Sequence, residues 1–255
     1  MAAFPLMLPG TSRPPKLVVF DLDHTLIACD ATILWTEFLY EKKIVTDPIW
    51  RQYDRDMVKS YAKGVLDIRD FCRKHAGAFR SIPEEKLHAL AQEFAKKKIA
   101  PLIFPDGKKW VKNALQANIP ACVLSASAAF IVQPIAKLFG LTDAMGIELA
   151  FKDGFCTGEI VGIPTFQEGK VERLSQRLAE ADIGFEDVVF FTDSRNDLPL
   201  AERAGYTVCV NPDAVLESAA RKNGWKVAEW KLSLRTQMTA QVDAKGVPET
   251  QTVRS

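Results

Sequence analysis

No stretch of this chain approaches the ~20 consecutive apolar residues that a membrane-spanning helix needs, although 47% of its 255 residues are hydrophobic. Charge of one sign is equally lacking. The 33 basic and 32 acidic side chains leave a formal net charge of +1, so there is neither the basic excess of a nucleic-acid surface nor an acidic solvating block. Histidine is scarce, at 3 residues, and no pair has metal-ligand spacing, which argues against zinc. The five cysteines (Cys29, Cys72, Cys122, Cys156, Cys209) are scattered and form no C-x-x-C pair, so thioredoxin-type chemistry is not indicated. Most lie in apolar runs, where a reduced, buried thiol is the plain reading. The first ten residues lack a basic flank and carry Pro5 and Pro9, a poor match to a signal peptide. Together these absences point to a cytoplasmic protein with neither a membrane nor a nucleic-acid partner.

What is present is a change of pattern along the chain. Residues 1–15 hold four prolines without periodicity and read as an irregular arm. Leu17-Val18-Val19-Phe20 is a continuous apolar run, the signature of a strand buried on both faces. Residues 31–100 then turn helical: Ile33, Leu34, Phe38 and Leu39, then Val65, Leu66, Ile68 and Phe71, then Leu87, Leu90, Ala91 and Phe94 recur at helical spacing. Ser81-Ile82-Pro83-Glu84-Glu85 reads as a helix start with Ser81 as N-cap. From Pro101 strands and helices alternate: a strand at 119–124, a helix at 128–139 closed by Gly140, a hairpin around Lys152-Asp153-Gly154, a helix at 167–181, a strand at 188–191, a short helix at 198–203, a strand at 206–210 and a helix at 213–223. Alternation of this kind implies α/β architecture with a parallel sheet. The expected organisation is a core of residues 16–30 and 101–230, a small all-helical cap of residues 31–100 inserted after the first strand, and a disordered tail at 231–255.

Candidate polar groups stand where strands end or helices begin. Asp21 and Asp23 follow the first strand, Ser125 follows Ala121-Cys122-Val123-Leu124, Lys170 opens a helix, and Asp193 and Asp197 follow Val188-Val189-Phe190-Phe191. In a parallel sheet these ends point the same way and the loops can meet. Two aspartates one residue apart repel each other unless a cation holds them. Such a set suits phosphoryl transfer through a carboxylate nucleophile, since an aspartate of pKa ~3.9 is ionised at neutral pH without a base. Ser125 and Asp197 also have a plainer role open to them as helix caps, and Lys170 alone would read as a surface lysine.

Taken together, DLDHT (21–25), LSAS (124–127), Lys170 and TDSRND (192–197) resemble the four ordered motifs of the haloacid dehalogenase superfamily over roughly residues 16–225. The helical insert, Asn211-Pro212-Asp213 and Gly224-Trp225 resemble the phosphoserine phosphatase subfamily within it. The resemblance implies a Rossmann-like three-layer core and a Mg²⁺-dependent phosphatase. Asp21 would be the nucleophile and Asp23 the acid/base. Ser125 and Lys170 would bind phosphate. Asp21, Asp193 and the backbone carbonyl of Asp23 would hold the metal, with Asp197 in support. Asp23 also separates phosphate chemistry from dehalogenation, because a halide leaves without a proton.

Asp30 aligns with an acidic position that recognises a substrate amino group. The expected substrate is therefore a small phosphorylated metabolite bearing an amine, such as phosphoserine or histidinol phosphate. Arg55, Arg69 and Arg73 are candidates for a substrate carboxylate. Two positions depart from the family pattern: His24, where a small residue is common, is given no catalytic role, and Arg195 is expected to narrow the site or touch substrate. His75 and His88 are expected at the surface of the insert. A phosphotransferase using the same aspartyl-phosphate, and a non-catalytic binding protein, are the rival readings.

Overall fold

The computed structural model describes residues 6–11 and 13–232. Residues 1–5, 12 and 233–255, which include nearly all of the expected tail and part of the expected arm, lie outside the described residues.

The apolar run forms β1 (Leu17–Phe20), buried at every position. Its side chains alternate between two layers: Val18 and Phe20 join the apolar cluster that continues into the helical insert, while Leu17 and Val19 join a second cluster on the opposite face. The insert follows at once, as α1 (Ala31–Glu41), α2 (Ile49–Lys63), α3 (Ile68–His75) and α4 (Glu84–Phe94). Asp30 caps α1 by accepting from the Ile33 N–H, and Asp67 caps α3 in the same way. The expected cap at Ser81 is not formed. Pro83 occupies the N-cap position of α4, and the Glu84 N–H instead donates to the Gly154 carbonyl at 2.8 Å. A carbonyl from a distant turn thus satisfies a helix-end donor that a local side chain would otherwise serve.

Beyond the insert come α5 (Pro105–Gln116), β2 (Ala121–Ala128), α6 (Ala129–Lys137), β3 (Ala144–Ile147), the hairpin β4 (Leu149–Lys152) and β5 (Phe155–Ile160), and α7 (Glu168–Glu180). The chain closes with β6 (Val188–Thr192), α8 (Leu198–Ala201), β7 (Tyr206–Val210), α9 (Ala214–Asn223) and β8 (Lys226–Ala228). The large sheet has the order β3-β2-β1-β6-β7-β8 with all neighbours parallel, and helices flank it. The chain builds outward from β1 first to one side and later to the other. That reversal makes the β1/β6 boundary a topological switch point, where the crevice beyond the carboxyl ends of the strands takes ligands.

The apolar signal ends the second strand at Leu124, but β2 runs on to Ala128. The polar tail of this strand is buried and lies beside β1's end, so burial rather than apolarity keeps it extended. The insert also packs against the core. Trp35 of α1 packs edge-on against Phe94 of α4 at 5.4 Å and against Phe130 of α6 at 5.6 Å. Hairpin β4–β5 packs on α3.

His75 is not at the surface. It is 5% exposed in the cap interior, with Nε2 3.0 Å from the Thr36 hydroxyl and 3.5 Å from a carboxylate oxygen of the equally buried Asp54. Burial pushes Asp54 up to about 7 and His75 down to about 4. Between those values the folded pair holds one proton, placed on Asp54. The unfolded chain also holds one, on histidine, so the two contributions to stability cancel. Removing either partner exposes the other. In His75→Gln, the folded state alone binds the Asp54 proton, so stability is lost as pH rises from 4 through 7. In Asp54→Asn, the unfolded state alone binds the His75 proton, so stability is lost as pH falls from 6.5 to 4. Each change amounts to roughly 3 kcal/mol across its window. Urea midpoints at pH 4.5 and 7, referred to the unmodified protein, should move in opposite directions in the two variants; movement in the same direction contradicts the shared proton.

Candidate active site

The ends of β1, β2 and β6 and the first turn of α7 bring the expected groups together. Lys170, 1% exposed, places its Nζ 2.7 Å from Asp21 Oδ1 and 2.8 Å from Asp197 Oδ2. Thr192 donates to the same Asp197 oxygen at 2.7 Å. Thr25 donates to Asp193 Oδ1 at 3.1 Å and lies 3.5 Å from Asp21 Oδ2, spanning the first and last motifs. Lys170 reaches the site because α7 packs tightly at its start. A Cβ on Gly169 would fall 1.9 Å from the Pro164 carbonyl oxygen, so this turn admits no larger residue.

Asp23 is held at both oxygens. Oδ1 accepts from the Ala31 N–H at 2.7 Å. Oδ2 accepts from the Ser127 hydroxyl at 2.8 Å and the Ser125 hydroxyl at 3.3 Å. Residues two apart on a strand share a face, so the continuation of β2 puts both serines against Asp23. Ser127 is not singled out by the sequence. Its one signal is the i, i+2 repeat in LSAS, which a strand ending at Leu124 hides.

Burial pushes Asp23 up to about 6, with the Asp30 charge adding to the rise. Burial pushes Asp197 up to about 6, partly offset by Lys170. Asp21 is raised by burial and pulled back by Lys170. Burial would lower the Lys170 ammonium, but Asp197 and Asp21 outweigh it and hold it above its usual range. Asp193 is raised well above the usual carboxylate range, by burial and then by the charges of Asp21 and Asp197. It takes one hydrogen bond, from Thr25, and no ion pair among the described residues. Asp21, Asp193 and Asp197 therefore share a single ammonium. Among the described residues no three His, Cys, Asp or Glu side chains form a complete metal cage. The donors present are hard oxygens with uncompensated negative charge, which suits a divalent ion that keeps several of its own waters.

Above the carboxylates lies a cavity of about 190 Å³ bordered by Asp21, Asp23, Asp30, Asp193 and Ser127 and roofed by Met57, Tyr61 and Phe71 from α2 and α3. Asp30 borders it while one of its oxygens caps α1. Several expected groups do not border it. Arg55, Arg69 and Arg73 are exposed and line no part of the cavity, because α2 and α3 turn their apolar faces inward. Arg195 does not border it either; its guanidinium lies against Gly64 of the cap. Ser125 is fully buried and directed at Asp23 rather than bordering the cavity. His24 does border it, with a left-handed backbone at φ 54°.

A parallel α/β sheet with paired carboxylates, a buried lysine and a helical lid defines a phosphomonoester hydrolase that works through an aspartyl-phosphate. The sequence matches the haloacid dehalogenase-like hydrolase family over residues 18–202, and the chain belongs to that family. It is 35% identical to a histidinol-phosphatase from Neisseria meningitidis serogroup C over 220 residues, 85% of this chain and 99% of the relative. It is 26% identical to a phosphoserine phosphatase from Mycobacterium tuberculosis over 239 residues, 90% of this chain and 77% of that one. A crystal structure of a protein of unknown function from Bordetella pertussis Tohama I superposes with a TM-score of 0.76 at 31% identity, covering 84% of this chain and 98% of that one. A substrate-bound phosphoserine phosphatase complex superposes at 0.63 and 21% identity, over 90% and 99% of the two chains, and shares the fold. No helix among the described residues is long and apolar enough to cross a membrane.

Proposed function

We propose that the protein hydrolyses a small phosphomonoester whose organic half carries an amine and no carboxylate, a description that histidinol phosphate fits and phosphoserine does not. One observation carries this reading. Asp30 borders the cavity beside Asp23, and among the described residues no lysine or arginine lines it. A half-buried carboxylate attracts an ammonium, whereas a substrate carboxylate would be desolvated there without a partner and repelled by Asp30. The 35% identical Neisseria relative is itself a histidinol-phosphatase.

In this mechanism Asp21 attacks phosphorus, forming the Asp21 O–P bond as the ester P–O bond breaks. Asp23 passes its proton to the departing alkoxide. Water then attacks the aspartyl-phosphate, giving its proton to Asp23 and releasing Asp21 and phosphate. A carboxyl raised to about 6 exchanges protons readily near neutrality. Ser125 and Ser127 fix its orientation, and Lys170 offsets charge at Asp21 and Asp197. Mg²⁺, when bound by Asp21, Asp193 and the Asp23 carbonyl, would neutralise the phosphoryl oxygens.

The test is a substrate series matched in size: an amino-alcohol phosphate, phosphoserine and a neutral alkyl phosphate. The amino-alcohol phosphate should exceed phosphoserine in kcat/KM by about tenfold or more, as one unpaired buried charge suffices for that. Asp30→Asn should erase the preference over the neutral ester. Equal rates for phosphoserine and the amino-alcohol phosphate would overturn the assignment.

A further inference from the structure

Gln167 has a backbone that only glycine adopts freely. At φ 49° and ψ −124° it lies outside the compact left-handed region that asparagine and aspartate tolerate. It directly precedes α7, whose first turn carries Lys170. Its carboxamide Nε2 donates to the Gly64 carbonyl at 3.3 Å and to Asn196 Oδ1 at 3.2 Å. Asn196, 3% exposed, in turn donates from Nδ2 to the Tyr61 carbonyl at 3.1 Å. Both cap acceptors are at the C-terminal end of α2, where the Tyr61 carbonyl also accepts from the Gly64 N–H at 2.9 Å. Gly64 is left-handed at φ +72°, and a Cβ there would meet the Arg195 guanidinium at 3.5 Å. Two amides, one directly before the α7 turn that carries Lys170 and one beside Asp197, therefore end on one corner of the cap.

We propose that Gln167 is a positioning residue that latches the cap over the site, so that closure of α2 and placement of Lys170 and Asp197 are a single event. With the cap lifted, the Gly64 and Tyr61 bonds are gone and nothing in the cap offsets the strain at Gln167. With the cap down, the same strain is held by bonds that cross the cavity's edge. Closure shields the aspartyl-phosphate chemistry from bulk water. The latch depends on the cap enclosing the site and not on which amine is bound.

The experiment compares Gln167→Gly, which removes strain and carboxamide together, with Gln167→Ala, which removes only the carboxamide. p-Nitrophenyl phosphate serves as substrate, and trypsin cleavage after the exposed Lys63 of the substrate-free enzyme as the second readout, with cleavage after Lys222 in α9 as control. Both variants should lower kcat/KM by roughly tenfold, mostly through KM, because the closed fraction falls. Both should speed cleavage after Lys63 and not after Lys222, while Gln167→Gly keeps or raises Tm and Gln167→Ala lowers it. Unchanged KM and unchanged Lys63 cleavage in Gln167→Gly would overturn the latch. So would a fall in Tm in that variant with the loss confined to kcat, which would make Gln167 a folding residue of α7 alone. Because p-nitrophenyl phosphate carries no amine, failure here is distinct from failure of the proposed specificity.

Discussion

Asp21→Asn is expected to reduce phosphomonoester turnover by at least ~10⁴-fold, since removing the nucleophile of a covalent mechanism leaves only binding and electrostatic assistance. Stability should move the other way or stay level. The substituted asparagine keeps the size of the side chain but removes one of three carboxylates that share one ammonium, while Lys170 keeps its 2.8 Å contact with Asp197. Steady-state rates and urea midpoints on the same preparations check both halves. A folded variant retaining a tenth of the activity would show that another group attacks phosphorus.

Lys170→Met should damage the fold as well as the rate. The side chain is 1% exposed and its ammonium is the direct ion-pair partner of both Asp21 and Asp197. Removing it strands two buried carboxylates, a change that costs about 3–5 kcal/mol when one partner of a buried pair is deleted. Adding Asp197→Asn to Lys170→Met should recover part of that loss, because one stranded charge disappears with it. Activity should stay low in both, since Asp21 loses the group that holds its Oδ1. Urea titration measures the stabilities; a loss below ~1 kcal/mol in Lys170→Met would mean that the carboxylates accept protons without penalty.

Much of this architecture is legible in the chain because the core elements rest on local patterns. Leu17–Phe20 reads as a buried strand from its unbroken apolar run, and Asp21 and Asp23 mark its end. The strands near Val188 and Tyr206 and the helix near Gln167 follow from periodicity and flanking turns. What escapes such reading depends on distant contacts. β2 continues through Ser125 and Ser127 because burial beside β1 sustains it, which no apolarity signal records. His75 is buried because α1 and α2 supply Thr36 and Asp54 to it. Arg55, Arg69 and Arg73 have the right charge for a substrate carboxylate but sit on the wrong faces of their helices. Residues 105–116 do not read as a helix because Gly107 and a polar composition mask α5, whose Val111 and Ala114 are buried against the sheet. The Gln167–Gly64 bond joins positions 103 residues apart, and nothing in either segment announces the other.

The mechanism stands or falls on Asp21 carrying the phosphoryl group. Acid quenching during turnover with Mg²⁺, borohydride reduction of the acyl-phosphate and peptide mass mapping locate that group directly. The predicted result is reduction of Asp21 to homoserine in the peptide containing residues 17–30, abolished in Asp21→Asn. Reduction at any other carboxylate, or turnover with no reducible acyl-phosphate at all, would contradict it.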